Sequence, residues 1–284
     1  MQTSRVWIIG PIAWDTVLSI AKFPTSGGFL HAKKREERPG GQGLNVALGL
    51  ATAPIQVGLI GYVGDDLNGK ELYRIIESSA ITFQHIFRKN SSTPHVIILV
   101  DKNGERTMIG MEKSYLNEIR IEDSPVRIND IVVWPIWRDE FVDDLKKVQK
   151  MGCKTIVGSN AALSSVVKYA DILIGSKKEI LNGLAIKDLT GRFERIIMTD
   201  GENGSILYSS NTQISQPAIK IEPVDTTGAG DAFLSGIALA LRYELSDEDT
   251  LSLASLWAGM ACETASSIPP AWNAVASRWL PKVL

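Results

Sequence analysis

Asp231 closes the run Asp225-Thr226-Thr227-Gly228-Ala229-Gly230-Asp231. A strand-like stretch, Ala218–Glu222, precedes this run, and a helix follows it with Phe233, Ile237 and Leu241 on one face. The glycines therefore fall where a loop turns into a helix N-terminus. Unpaired backbone N–H groups point outward there, and the helix dipole favours negative charge. Gly228 and Gly230 carry no Cβ to obstruct a phosphate, so Gly228, Ala229 and Gly230 read as an anion cradle. A carboxylate at the mouth of such a cradle repels the anion and needs a different task. It can accept the proton of an attacking hydroxyl while the amides stabilise charge on a transferred phosphoryl group. Taken alone, Asp231 also reads as an ordinary acid in the first turn of a helix.

A second glycine-rich run, Pro39-Gly40-Gly41-Gln42-Gly43-Leu44-Asn45, lies near the N-terminus. Gly40 and Gly41 allow a ligand close to the backbone, and Asn45 offers both a donor and an acceptor, which suits a vicinal diol. Asp15 follows the first apolar run, and its carboxylate could accept hydrogen bonds from two sugar hydroxyls. Taken singly, Asn45 also reads as a polar residue in a helical turn and Asp15 as a surface acid. The loop Gly61–Gly69 joins a strand to a helix, with Asp66 as a candidate cap. No Gly-x-x-x-x-Gly-Lys-Ser/Thr occurs, and no Gly-x-Gly-x-x-Gly follows the first strand.

These residues need a scaffold. Short apolar runs at Val6–Ile9, Ile55–Ile60, Asp130–Trp134, Lys154–Val157, Asp171–Ile174 and Arg195–Met198 read as buried strands. Helical stretches fall between most of them, clearest at Leu44–Ala51, Lys70–Ser78, Glu140–Lys150 and Leu163–Tyr169. Continuous apolar strands alternating with helices predict a mostly parallel sheet covered on both faces. Val17–Arg38 and Thr93–Ile109 break that rhythm and read as extended or hairpin-forming segments, the second with a turn at Asp101–Gly104. They form either a small flap or plain edge strands. Ser246 caps a helix that runs to about Glu263, with Leu253, Leu256, Trp257 and Met260 at core spacing.

The chain has 284 residues, 44% of them hydrophobic, enough for one α/β domain with a large core. A formal net charge of -2 and the absence of long basic runs argue against nucleic-acid and membrane-surface partners. The two cysteines, Cys153 and Cys262, have no metal-ligand spacing and make no disulfide framework. The opening residues lack the apolar run of a signal peptide, and no stretch reaches the length of a membrane span, so a cytoplasmic setting is expected.

The early glycine run, the loop Gly61–Gly69 and the late Gly-Ala-Gly-Asp run, in that order, resemble the ribokinase-like family, the PfkB carbohydrate kinases. The resemblance spans nearly the whole chain. It implies an α/β/α sandwich with a mostly parallel sheet and a small β-lid, as a single domain over 1–284 with lid segments at about 17–38 and 93–110. It implies an ATP-dependent phosphotransferase acting on a sugar hydroxyl, with Asp231 as base and Gly228, Ala229 and Gly230 as the anion hole. Asp15, Gly40, Gly41 and Asn45 match the sugar contacts. Ser176, Thr199, Gly201, Gly204 and Thr226 match nucleotide contacts. Ser176 and Glu179 match the family's Asn-x-x-Glu element, with Glu179 holding Mg²⁺ through water. ATP, Mg²⁺, a monovalent cation such as K⁺ and a homodimer through the lid complete the expectation.

The chain departs from that pattern in places. Ser176 replaces the family asparagine, Gln42 stands where ribokinases carry lysine, and Ala261–Pro270 lacks the Thr-Arg-x-Gly-Ala pattern. Trp134-Pro135-Ile136-Trp137-Arg138 replaces a segment that supplies an acidic sugar contact, which suggests an aromatic substrate surface, with Arg138 either pairing an anionic group or opening a helix. A nucleoside kinase of the adenosine or pseudouridine type, and a non-catalytic sugar sensor on the same fold, are the alternatives.

Overall fold

The computed structural model describes residues 4–102, 104–111, 119, 121, 124–210 and 212–279. In chain order the elements begin with β1 (Val6–Ile9), β2 (Ala13–Ser19), β3 (Lys34–Gly40), α1 (Gln42–Ala51), β4 (Val57–Gly64), α2 (Leu67–Ser78), β5 (Phe83–Lys89), β6 (His95–Val100) and β7 (Arg106–Gly110). They continue with β8 (Ile131–Trp134), α3 (Val142–Lys150), β9 (Lys154–Gly158), β10 (Ala170–Ser176), α4 (Lys177–Ile180), α5 (Ile186–Leu189) and β11 (Phe193–Thr199). The last are β12 (Ser205–Ser209), β13 (Gln213–Gln216), α6 (Ala229–Arg242), α7 (Asp247–Cys262) and α8 (Trp272–Trp279).

Two sheets result. The larger has nine strands in the order β13-β12-β11-β10-β9-β8-β1-β4-β5, parallel from β11 through β5, with β12 and β13 added antiparallel. Its inner strands are apolar on both faces, because helices cover both. Along β1, Val6 and Ile8 join a core with Leu44, Ile237 and Trp257, whereas Trp7 and Ile9 join a second core with Phe141, Leu145 and Val148. That alternation is the two-residue period of a strand, and the result is a three-layer α/β/α sandwich. The smaller sheet has the order β3-β2-β6-β7 and contains both segments that broke the βαβ rhythm. Its first strand starts at Ala13, four residues before the predicted segment, so Asp15 lies inside the small sheet. In the hairpin between β6 and β7, Gly104 N–H donates to the Asp101 carbonyl at 3.1 Å; Asn103, part of the predicted turn, lies outside the described residues.

The strand order fixes where a site can form. From β1 the chain moves to β4 and β5 on one side, then returns to β8 on the other. The crevice at the carboxyl ends of β1 and β8 is a topological switch point, where α/β sheets bind ligands. Both Gly10, after β1, and Pro135, after β8, lie at this edge: a Cβ on Gly10 would sit 3.4 Å from the Pro135 ring.

Two predicted elements are not there. Leu163–Tyr169 is irregular, not helical. Ser164 Oγ accepts from the Val166 and Val167 amides, both at 3.3 Å, which holds the chain in a turn. The Arg192 guanidinium takes up the carbonyls of Ala161, Ala162 and Ser164 that a helix would need. Ala218–Glu222 is irregular rather than a strand, bracketed by Pro217 and Pro223.

Candidate active site

Asp231 occupies the first turn of α6, directly after the cradle, and is 7% exposed. Its carboxylate accepts a hydrogen bond from Asn45 Nδ2 at 2.8 Å, across 186 residues of sequence. Asn45 sits on α1, whose N-cap Gly41 holds φ at 90°, a conformation that suits glycine. A Cβ there would also lie 2.5 Å from the Pro11 carbonyl oxygen. The start of α1 is thus locked against the turn after β1, and Asn45 is aimed at Asp231.

Asp15 completes the group. It is buried on β2, directly across from Arg38 on β3. A Cβ on Gly40 would fall 2.1 Å from Asp15 Oδ2, so the glycine is what leaves the carboxylate room. Burial raises the Asp15 pKa to about 6, against the lowering influence of Arg38 and His95. Burial likewise raises Asp231 to about 7; the Asn45 hydrogen bond lowers it and the Asp15 charge raises it. A carboxyl buried at a helix N-terminus with the Asp15 charge nearby is a group able to take a proton near neutral pH. Among the described residues Asn45 Oδ1 is buried with no partner, so this end of the site presents an acceptor to an incoming donor such as a hydroxyl.

The cradle itself splits into two kinds of glycine. Gly228 is the N-cap of α6 at φ 80°, and a Cβ there would meet the Ser267 carbonyl oxygen at 2.3 Å. Gly230 has nothing within 4 Å of the Cβ position. The open side of Gly230 faces a cleft of about 610 Å³, also lined by Thr199, Gly201, Gly204, Thr226 and Ala229. The irregular stretch from Pro217 to Ile221 forms one wall and α7, through Ser255, Ala258 and Gly259, another. The stretch expected to be a strand is instead a wall of this cleft, with Ile219 seated on Gly259. A largely apolar cleft that ends in a phosphate-sized cradle fits a nucleotide.

Ser176 and Glu179 lie outside the cleft lining. They form a capping box at the start of α4: Glu179 N–H donates to Ser176 Oγ at 3.3 Å, and Ser176 N–H donates to Glu179 Oε2 at 3.1 Å. Ser176 nevertheless ends β10 in register with Thr199, so Glu179 stands at the same edge of the sheet as the cleft. The aromatic segment behaves differently from its expectation. Trp134 is fully buried and Trp137 is 3% exposed, and both pack with Phe141 in the core. Trp134 ends a strand covered on both faces, so the indole fills the inner layer and offers no stacking surface. Arg138 opens a one-turn helix at Asp139–Phe141.

Sequence reasoning missed two arginines of the smaller sheet. Arg38 Nη1 lies 3.8 Å from Asp225 Oδ2. Arg106, on β7, donates to the hydroxyls of Thr226 and Thr227, the latter at 2.7 Å. The hairpin pairing of Asp15 with the residue before Pro39-Gly40 was the available signal for Arg38; Arg106 had none.

Residues 6–274 match the pfkB family carbohydrate kinase model. A ribokinase of Lactococcus lactis is 27% identical over 88% of each chain. An ATP-dependent ribose-1-phosphate kinase of Halopiger xanaduensis is 25% identical, over 96% of this chain and 97% of that one. A nucleoside kinase of Methanocaldococcus jannaschii is 24% identical, over 98% and 97%. Among solved structures, ribokinase from Thermotoga maritima superposes with a TM-score of 0.81 at 24% identity, over 98% and 99% of the two chains. Ribokinase from Giardia lamblia superposes with a TM-score of 0.85 at 19% identity, over the full length of both. The chain belongs to the pfkB family of carbohydrate kinases, phosphotransferases that act on a sugar hydroxyl.

Proposed function

We propose that the chain transfers the γ-phosphoryl group of ATP to a hydroxyl of a sugar, with Asp231 as the general base. The observation that carries the reading is the buried Asn45–Asp231 pair beside the open Cβ side of Gly230. The acceptor hydroxyls bind Asp15, Asn45 and the Gly40–Gly41 backbone. ATP lies in the cleft, with Thr199, Gly201, Gly204 and Thr226 along it and its phosphates toward Gly228–Gly230. Asp231 takes the proton from the acceptor hydroxyl, whose oxygen attacks the γ-phosphorus in line with departing ADP. The Gly230 amide, joined by the Ala229 amide once it leaves the Thr226 carbonyl that it donates to at 3.3 Å, meets the charge spread over the transferred group.

Magnesium fits this site as a cation carried on the phosphates, which needs only one or two carboxylates. One Glu179 oxygen is used by the capping box, which leaves the other for a metal-bound water. Bound there, the ion would neutralise phosphate charge. The reading extends to one kinase domain over the chain, with the four-stranded sheet as its lid, working in the cytoplasm. It includes a homodimer through the lid, supported by Met108 and Ile109, which the outer strand β7 leaves exposed. No helix among the described residues is long and apolar enough to cross a membrane.

ADP release from ATP, scored over a panel of free sugars, sugar phosphates and nucleosides, tests the reading. A sugar that releases ADP in the native chain but not in Asp231→Asn supports it. Nucleoside-only turnover, or none with any acceptor, overturns the sugar assignment. Exchanging Na⁺ for K⁺ in the same assay tests for a monovalent-cation site, and sedimentation tests the dimer.

A further inference from the structure

The cleft has a phosphate end and a base end, and α7 measures the distance between them. The carbonyl of Cys262, the last residue of α7, accepts from the Val224 amide at 2.8 Å, on the loop that leads into the cradle. One turn back along α7, Gly259 meets the Ile219 side chain; two turns back, Ser255 faces Ser205 at the start of β12. Seven residues of helix span about 10 Å, so phosphates held at Gly228–Gly230 put the base of a nucleotide between the irregular stretch 217–221 and the part of α7 from Ser255 to Gly259.

That end of the cleft is apolar. Pro217, Ala218, Ile219 and Ile221 form one wall, and Ala258 and Gly259 the other. A Cβ on Gly259 would stand 3.0 Å from Ile219 Cβ, so the glycine sets how closely the walls approach. The Ser255 hydroxyl is buried, with the Ser205 hydroxyl 3.4 Å away. Glu202, Asn203 and Lys220 also line the cleft but are exposed, and a bond they make to a base edge competes with water. Among the described residues no buried carboxylate, carboxamide or guanidinium lines the cleft to read that edge.

The purines differ at the edges that side chains would read. Adenine presents an amino donor and a ring-nitrogen acceptor; guanine and hypoxanthine present a carbonyl acceptor and a ring N–H donor. A pocket that hydrogen-bonds one edge leaves buried groups unpaired with the other and discriminates by about 10⁴- to 10⁵-fold, whereas an apolar pocket discriminates by about 10- to 200-fold. Every base, in contrast, offers a ring face. We propose that this cleft holds the base by its faces, so that GTP and ITP serve as phosphoryl donors beside ATP. The inference rests on the kinase reading above. The transfer step is the same for each donor. The bond from the γ-phosphorus to the β,γ-bridging oxygen breaks, and a bond to the acceptor oxygen forms. The hydroxyl proton goes to Asp231, and the nucleoside diphosphate leaves with the bridging oxygen. A pyrimidine buries less apolar surface, so CTP and UTP should serve less well.

Calorimetric titration of ADP, GDP, IDP and CDP, each with Mg²⁺ and without acceptor, tests this on the full chain. The purine diphosphates are expected to bind within about tenfold of one another, and CDP about tenfold more weakly. In Ile219→Ser all purine affinities fall together, by about five- to tenfold, from the lost apolar face. Asn203→Ala leaves the ratio of ADP to GDP affinity within about twofold of native, because the side chain is exposed. With a sugar that the chain phosphorylates, GTP and ITP are expected to turn over within about tenfold of ATP. A preference for ADP over GDP and IDP beyond about 10²-fold overturns the proposal and makes the backbone of 217–223 the reader of the base edge. A preference that collapses in Asn203→Ala overturns it in favour of that side chain. GDP binding without GTP turnover overturns the donor role. A native chain that binds none of these nucleotides overturns the kinase reading itself, a result distinct from the others.

Discussion

Asn45 Nδ2 donates to Asp231 Oδ2 at 2.8 Å, joining the two glycine-rich motifs of the chain through their helices. The bond does two things to the base. It orients the carboxylate at the mouth of the cradle, and it stabilises the ionised form against burial and against the charge of Asp15. In the proposed reaction Asn45 therefore serves the base as well as the acceptor.

Asn45→Ala removes the one hydrogen bond that lowers the Asp231 pKa. A bond to a charged group is worth about 1.5–3 kcal/mol, so the basic form should need roughly one to two pH units more to appear. The acid limb of kcat/KM against pH, which reports the free enzyme, is expected to move upward from about 7 in this variant. The midpoint of that limb is the readout, since the height also falls from lost acceptor contacts. An unmoved midpoint would detach Asn45 from the base.

Asp231→Asn separates catalysis from stability. Loss of the base should lower turnover by about two or more orders of magnitude. The same change should stabilise the fold above neutral pH. The native Asp231 pKa is raised from 3.8 to about 7, so folding takes up a proton between those values and stability falls as pH rises through that window. Below about pH 4 the carboxyl is protonated in both states and the term vanishes. Urea unfolding at pH 8 is expected to show Asp231→Asn more stable than native, on the order of a few kcal/mol, with the gap closing by pH 4. A gap of constant size would mean that the gain comes from packing rather than ionisation.

Much of this was written locally in the chain. Apolar runs such as Val6–Ile9 are buried on both faces, and no loop or amphipathic helix shares that pattern. The two glycine motifs announced helix starts, because Gly41 and Gly228 need conformations that other residues resist. What failed were signals that tertiary partners override. Leu163–Tyr169 has helical spacing, yet Ser164 and Arg192 claim its backbone. Trp134 looked like a ligand surface, but an indole at the end of a doubly covered strand fills a core. The antiparallel β12–β13 hairpin carries too little apolar pattern to stand out. Arg106 reaches Thr226 across 120 residues, and a pair so distant leaves no trace in spacing.

At the opposite end of the sheet, Asp130 accepts from Arg5 Nη2 at 2.6 Å, from Trp7 Nε1 at 2.9 Å and from the Arg127 amide at 2.9 Å. Arg5 and Asp130 are each 2% exposed. Asp130→Ala leaves a buried cation without its carboxylate and should cost about 3–5 kcal/mol, measured by urea unfolding. Kinetic constants of the folded fraction should stay within about twofold of native, because the pair lies at the amino ends of β1 and β8. The double variant Arg5→Met with Asp130→Leu should recover part of the loss, since it removes both charges.

The cradle glycines give the sharpest contrast, because one resists a methyl group for reasons of fold and the other for reasons of function. A Cβ at Gly228 meets the Ser267 carbonyl at 2.3 Å with φ at 80°, so Gly228→Ala must move the start of α6. It should lose stability by about 1–3 kcal/mol and lose activity with it. Among the described residues a Cβ at Gly230 meets nothing within 4 Å, so Gly230→Ala should melt within a degree or two of native. The space it enters is the one assigned to phosphate, and ATP affinity and turnover should each fall by about tenfold or more through that lost approach. A thermal melt beside an ATP titration distinguishes the two. If Gly230→Ala binds ATP and turns over as the native chain does, the phosphate does not pass over this helix end, and the placement of ATP against Asp231 fails with it.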